Sequence, residues 1–545
     1  MFKRGKRMVS ILLAGVMLAG TLAGCSGSAQ NAGAGNGGAN GASSGGVSAS
    51  GKEPITLKVL GNGDKPNDWD KVMEEFNQRT KDELNITFDW TWIPSADYKD
   101  KLNVKITAGE QYDLVFDAPW MHLRTLAEDD LYTDLSPYLN NDDYPGLKRC
   151  FPEEIMKYNQ YSDINCALPL MITYSSVNLV MYRQDWAREF GIGEDGQITS
   201  HDELRDYLQA VKDNKPGVTP IALKDNRGFY HLFTAIQPEF AKNHIYQGTL
   251  GQDIFFLYKL NEEETKVEAV ALPGDPAENW EPFGMSDPWK AKLESQREWN
   301  QFTEVDSLNQ KDPYSLFQIG KAGACIETID AVPKFNRLLK SNDPTAELGV
   351  YIHEEAARNM EKDAYGAVVT SNNCLAIPAS SKHVERTIEF LDWMFASAEN
   401  HDLFEYGIEG VHWLANGDNQ YTVPEGVSAS SNYNLNGWNL TWTPEYYRFS
   451  SDYTDYSIPY AEYAIEMDNF YISKNTGFVF QSDPVKTEIT QNGAILGEIL
   501  VPTNHGILDD PYEKMCEKAA EMRKNNVQKA LDEYVNQLNA YLEKQ

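Results

Sequence analysis

Carboxylates and flat aromatic rings at the ends of apolar runs are where this sequence could do chemistry. The run "YDLVFD" (Tyr112 to Asp117) stops on an aspartate, and Trp120 follows shortly after. A carboxylate there can accept hydroxyl hydrogen bonds, while an indole offers a flat apolar face. "ITLKVLG" (Ile55 to Gly61) similarly runs into Asn62 and Asp64, and "ACIETID" ends on Glu327 and Asp330. Trp413 stands in "GIEGVHW", and Trp438 and Trp442 in "NLNGWNLTWTP". Each has a plainer alternative: Trp120 packed under its loop, Glu327 and Asp330 as ordinary exposed acids, Trp438 and Trp442 as satellite core.

Other chemistries lack their signatures. There is no GxSxG, HExxH or P-loop, and the histidines (His122, His231, His353 and His412 among them) are isolated. "GNGDKPNDWD" offers Asp64, Asp68 and Asp70 without EF-hand spacing or its terminal glutamate, so neither a metal nor a cofactor is expected. Besides Cys25 there are Cys150, Cys166, Cys325, Cys374 and Cys516, none in a zinc pattern. Their odd number leaves a free thiol, and a Cys150 to Cys166 bridge is open at that short separation. Twelve Trp, 29 Tyr and 22 Phe must mostly be core, yet so many tryptophans hint at ligand surfaces.

The elements that must position these residues follow from periodicity. "ITLKVLG" and "NITFDWTWI" read as strands, and between them Trp69, Val72, Met73 and Phe76 share one helical face. Ser95 can cap a second helix with the face Tyr98, Leu102 and Ile106, ended by Gly109. The order β-α-β-α-β predicts a parallel sheet with right-handed crossovers, whose ligands bind beyond the carboxyl ends of the strands. Later, "YSSVNLVMYRQDWAREFG" reads as a strand entering a helix, and Ser200 with Glu203 forms a capping box. "AGACIETID" and "NNCLAIPAS" are strand-like, and the chain ends on a helix with Val527, Leu531, Tyr534, Val535, Leu538 and Tyr541 on one side.

The front of the chain is unlike its body. Lys3, Arg4, Lys6 and Arg7 precede an apolar run from Met8 to about Ala23, the layout of an export signal. It is short for a permanent membrane anchor, which needs roughly 20 apolar residues. "LAGC" (Leu22 to Cys25) resembles the lipobox of bacterial lipoproteins, which implies a signal peptide over 1–24 and an acylated Cys25. Residues 25–53 then form a Gly/Ala/Ser/Asn tether too poor in apolar side chains to fold, with a reach of about 30 Å. Without the signal, 521 residues remain (545 minus 24), enough for two domains. They carry 44 basic residues (48 minus 4) against 81 acidic, a formal charge of −37 that disfavours nucleic acid and anionic lipid.

Together, "YDLVFDAPW", "NLVMYRQDWAREFG", "ITSHDELRDYLQAVKDNKPGVTPIAL", "ERTIEFLDWMFASAENHDLFEYGIEGVHW" and "NNVQKALDEYVNQLNAYLEKQ" span most of the chain from Ile55 to Gln545. In this order they resemble the extracellular solute-binding proteins of carbohydrate ABC importers, the maltose-binding-protein-like family, in its large Gram-positive lipoprotein branch. The resemblance implies an α/β, two-lobed type II periplasmic-binding-protein-like fold, each lobe a mixed, mainly parallel sheet flanked by helices. It places lobe 1 at 54–173 with about 384–440, and lobe 2 at 174–383 with about 441–545. The stretch from about Tyr246 to Gln318 has no counterpart in smaller members. The implied function is binding without catalysis: a monomer on the outer face of the membrane, held there by lipid alone, closes on an oligosaccharide and hands it to an ABC permease. The ligand-binding residues would be Asp117, Trp120, Tyr174, Ser176, Glu327, Asp330, Trp413, Trp438 and Trp442, with Tyr174 and Ser176 where the crossing segment borders the cleft. A surface polysaccharide-degrading enzyme, with carboxylates about 5 or 6.5–9.5 Å apart, and a ligand-sensing lobe for a signalling partner are the alternatives.

Overall fold

The computed structural model describes residues 51–545, apart from 225–226, 252, 305, 310–312, 429–430 and 436. The signal, the lipidation expected at Cys25 and the tether up to residue 50 lie outside the described residues. Strands β1 (Ile55–Asn62), β2 (Ile86–Ile93) and β3 (Leu114–Asp117) run parallel, joined through helices Trp69–Thr80 and Ser95–Thr107. After β4 (Ala167–Pro169) the chain opens a second sheet with β5 (Asn178–Arg183) and β6 (Thr219–Ala222). It leaves that sheet for an antiparallel meander, β7 (Ile245–Leu250), β8 (Ile254–Leu260) and β9 (Val267–Ala271). It then returns with β10 (Ala322–Thr328) and β11 (Leu348–Ile352), and β12 (Cys374–Ala376) goes back to the first sheet.

The first sheet has the order β2-β1-β3-β12-β4, with β12 antiparallel to both neighbours. The second has the order β11-β5-β10-β6; β5 is antiparallel to both neighbours and β10 is parallel to β6. β12 therefore joins the first sheet ahead of residue 384, where the return was expected. Three stretches link the sheets. Leu170 packs in the first core and Val177 in the second. Residues 368–371 run back alongside: the Val368 N–H donates to the Tyr174 carbonyl at 2.8 Å, and the Ser371 N–H to Asn159 Oδ1 at 2.9 Å. Farther on, Trp442 packs on the first core and Phe449 lies in the second.

The tryptophans mostly serve the cores. Trp90 and Trp92 project from one face of β2 and stack at 5.0 Å, and Trp69 meets both edge-on at 4.8 and 5.2 Å. That cluster explains Gly61: a Cβ there would lie 2.9 Å from the Trp92 ring. The stretch expected to lack a counterpart holds the meander, whose Phe256 meets Tyr534 of the terminal helix edge-on at 4.9 Å. Leu531 and Leu538 are buried in the same core.

Local details refine the expectations. Ser200 caps its helix by accepting from the Glu203 N–H at 3.2 Å, while Glu203 reaches back to the Thr199 N–H. Ser95 does not cap: it is the first helical residue, and its hydroxyl donates to Asn62 Oδ1 at 2.7 Å. Gly109 follows the same helix with φ +69°, a left-handed turn that suits glycine. The Cys150 to Cys166 bridge is not formed. All five described cysteines are free, and burial pushes the Cys150 and Cys166 thiols up to about 12.

Candidate functional site

In open α/β sheets the carboxyl ends of parallel strands leave room for ligands. In the first sheet, β1 ends on Asn62 and β3 on Asp117. Asn62 is buried, with its side chain bonded to Ser95 and its carbonyl accepting from Asn439 Nδ2 at 2.9 Å. Asp117 is fully enclosed. Its Oδ1 accepts from the Ala118 N–H at 2.7 Å and the His122 N–H at 3.2 Å, and its Oδ2 accepts from the Tyr132 hydroxyl at 2.7 Å. Burial pushes its pKa up to about 6 against those three bonds, which favour the charged form. Asp117 thus folds the loop that follows it, and that loop presents Trp120, 52% exposed, to solvent. Among the described residues Trp120 is the one exposed tryptophan. Trp438 is half-buried, edge-on to Phe116 at 4.8 Å, beside the same strand end.

In the second sheet the corresponding edge is formed by the start of β5 and the ends of β6, β10 and β11. Tyr174 and Ser176 enter it from the first crossing: Tyr174 is half-buried against the second core, and Ser176 is exposed. Glu327, near the end of β10, lies 3.7 Å from Lys224, which follows β6 and sits 4.5 Å over the Tyr314 ring. Asp330 is exposed in the turn after β10. Ser176, Glu327 and Asp330 therefore lie along this edge, where the Ile329 N–H donates to the Val177 carbonyl at 3.0 Å, while the acids that act on the Tyr174 hydroxyl are Glu445, Glu466 and Glu154. Trp413 is a different case. It is 4% exposed, its indole N–H donates to the Gly407 carbonyl at 3.1 Å, and Arg448 covers its ring at 5.1 Å. No face is left for a ligand. Trp442 is half-buried on the first core.

The same edge carries residues that sequence reasoning missed. His353 and Glu354 directly follow β11 and line a cavity of about 370 Å³. Burial drives the His353 pKa down to about 3 and leaves its Nε2 without a hydrogen-bond partner among the described residues. Burial raises Glu354, opposed by the neighbouring Tyr365 hydroxyl. An adjoining cavity of about 130 Å³ is lined by Asn178, Tyr230, Gln247 and Lys292, with Glu354 and Lys292 shared between the two. The strand-end rule applied to "YIHEE" would have found His353 and Glu354; Lys292 carries no such signal. Among the described residues no group of His, Cys, Asp or Glu could hold a metal. Asp68 pairs with Lys71 at 2.7 Å and with His412 at 3.2 Å, and Asp70 with Lys65 at 2.7 Å.

Residues 62–401 match the family model described as bacterial extracellular solute-binding protein. The chain belongs to that family. A second model, a domain of unknown function, matches residues 474–543 of this solute-binding protein, the helices that cover the meander. A carbohydrate ABC transporter substrate-binding protein of Streptococcus pneumoniae is 22% identical, over 89% of this chain and 92% of that one. The solved N-glycan transport solute binding protein of Streptococcus pneumoniae is 19% identical, covers 90% of this chain and 99% of its own, and superposes with a TM-score of 0.67. Its complexes with Man1GlcNAc and Man5GlcNAc give 0.55 and 0.52 at the same identity, covering 90% of this chain and 100% and 98% of their own. An HMO-binding ABC-transporter-associated solute binding protein of Bifidobacterium longum infantis is 14% identical over 90% of this chain and 99% of its own, with a TM-score of 0.59. These likenesses establish the type II two-lobed fold. No helix among the described residues is long and apolar enough to cross a membrane.

Proposed function

We propose that this solute-binding protein captures an oligosaccharide between two lobes and delivers it, uncleaved, to an ABC importer. It works as a monomer on the outer face of the membrane, held by a lipid on Cys25. Lobe 1 comprises 54–173 with about 370–440, the return moved up from 384 because β12 pairs with β3 and β4. Lobe 2 comprises 174–369 with 441–545, the meander and the C-terminal helices included. Trp120 is the stacking platform of lobe 1, with Trp438 behind it and Trp442 toward the crossing. Tyr174, Ser176, Glu327 and Asp330 supply hydroxyls and carboxylates from lobe 2. Asp117 acts through the loop it folds, and Trp413 is core.

The observation that carries this reading is the exposed Trp120 at a strand end, in a chain that packs or half-buries its other tryptophans. The likeness to a carbohydrate ABC transporter substrate-binding protein and to N-glycan-transport solute binding proteins supports the receptor reading. Closure would be a population shift toward the state that binds sugar better. The test is a thermal melt with a panel of oligosaccharides, followed by chromatography of the sugar. Stabilisation by about 2.7 kcal/mol at a hundred times Kd, with the sugar recovered whole, is expected. Release of shorter sugars would contradict it.

A further inference from the structure

The helix Trp289–Trp299 turns Trp289, Leu293, Gln296 and Trp299 inward, and among them it turns in a lysine. Lys292 is 7% exposed. A buried ammonium is normally paired, because removing it from water without a partner is costly. Here its Nζ lies 3.7 Å from the centre of the Tyr230 ring and has no carboxylate or other acceptor among the described residues. Burial alone moves its pKa, down to about 7, with no anion close enough to oppose it. The side chain is not sealed in the core. It borders both cavities at the lobe 2 edge, and the smaller one brings the amides of Asn178 and Gln247 to the same space. That space, about 130 Å³, is the volume of roughly four waters, enough for a carboxylate and part of its ring. The one carboxyl lining it is Glu354, whose pKa burial raises and the Tyr365 hydroxyl lowers.

We infer that Lys292 is the counter-ion of a ligand carboxylate, and that the saccharide taken by this protein is therefore acidic, with a uronic or sialic residue at one end. The carboxylate sits in the smaller cavity against the Lys292 ammonium and the Asn178 and Gln247 amides. The following sugar units lie in the larger cavity toward His353. The Tyr230 ring backs the ammonium and holds it in place, an arrangement that favours the charged form once the anion has arrived. This subsite rests on the receptor reading and narrows it to a ligand class.

The experiment uses the full chain and matched sugars: trigalacturonate against its methyl ester, 3′-sialyllactose against lactose, and a panel of neutral oligosaccharides. Calorimetric titration of the wild type is expected to favour one acid over its uncharged partner by about 30-fold or more, the loss typical of removing one member of a buried charge pair. Which acid is favoured distinguishes a uronate from a sialate. Lys292→Met should abolish the preference and Lys292→Arg should keep part of it, with the ligand-free Lys292→Met no less stable than wild type. Neutral sugars bound as tightly as acids, or a preference that survives in Lys292→Met, would overturn the subsite while leaving the receptor standing. If no saccharide of either kind binds, both fall. Should Lys292→Met fail to fold, the comparison of acid with ester on the wild type decides alone.

Discussion

Asp117 and Trp120 divide a role that their spacing suggests they share. With three hydrogen bonds to its carboxylate and no exposed surface, Asp117 holds the turn after β3, and Trp120 is what the turn presents. Trp120→Ala should weaken sugar binding about 30-fold with little change in stability, as for an aromatic anchor on a surface. Trp413→Ala should do the reverse, costing about 3–5 kcal/mol in urea unfolding as a core truncation. The Asp117 carboxyl also sets a pH dependence. Its folded pKa of about 6 lies above the usual unfolded value of about 3.9, so the folded state binds the extra proton between these limits. Its contribution is therefore most favourable below about pH 4 and is lost as pH rises through 6, an amplitude of about 3 kcal/mol. Asp117→Asn removes the titrating group, so the stability of wild type relative to the variant should fall as pH rises from 4 to 7; a constant difference would refute this. Trp120 was legible because a strand end announces it. The enclosure of Asp117 was not, since Tyr132 and the His122 N–H come into range only in the folded loop.

At the level of elements, local order made the first sheet readable. β1, β2 and β3 follow one another with a helix in each gap, so periodicity and connection length suffice. β12 was harder: three residues inserted between β3 and β4, long after both, leave no local trace of their partners. The meander is a similar case. β8 reads "IFFLYKL", but what covers it are helices that begin at Lys486, more than two hundred residues later. Leu538→Ala on the last helix should cost about 2–5 kcal/mol, seen as a lower urea midpoint, because it opens a cavity over that sheet. Gly61→Ala forces a methyl within 2.9 Å of the Trp92 ring and should cost about 1–3 kcal/mol by the same measurement. A variant as stable as wild type would mean that the Trp90–Trp92 stack is not fixed by the glycine beneath it.

For the whole molecule, the two sheets are joined by three crossing stretches, the first two of which hydrogen-bond to each other through Tyr174 and Val368. Such a joint would let the strand ends approach while each core stays packed, which is what the proposed closure about a ligand requires. The central claim is that closure on an intact saccharide is the function. Small-angle X-ray scattering of the full chain, with and without a saturating oligosaccharide that raises its melting temperature, tests it most directly. The account predicts a smaller radius of gyration and a shorter maximum dimension with sugar bound, and a full return when the unaltered sugar is dialysed away. Identical scattering curves at saturation, or a contraction that persists because the sugar has been cut, would contradict it.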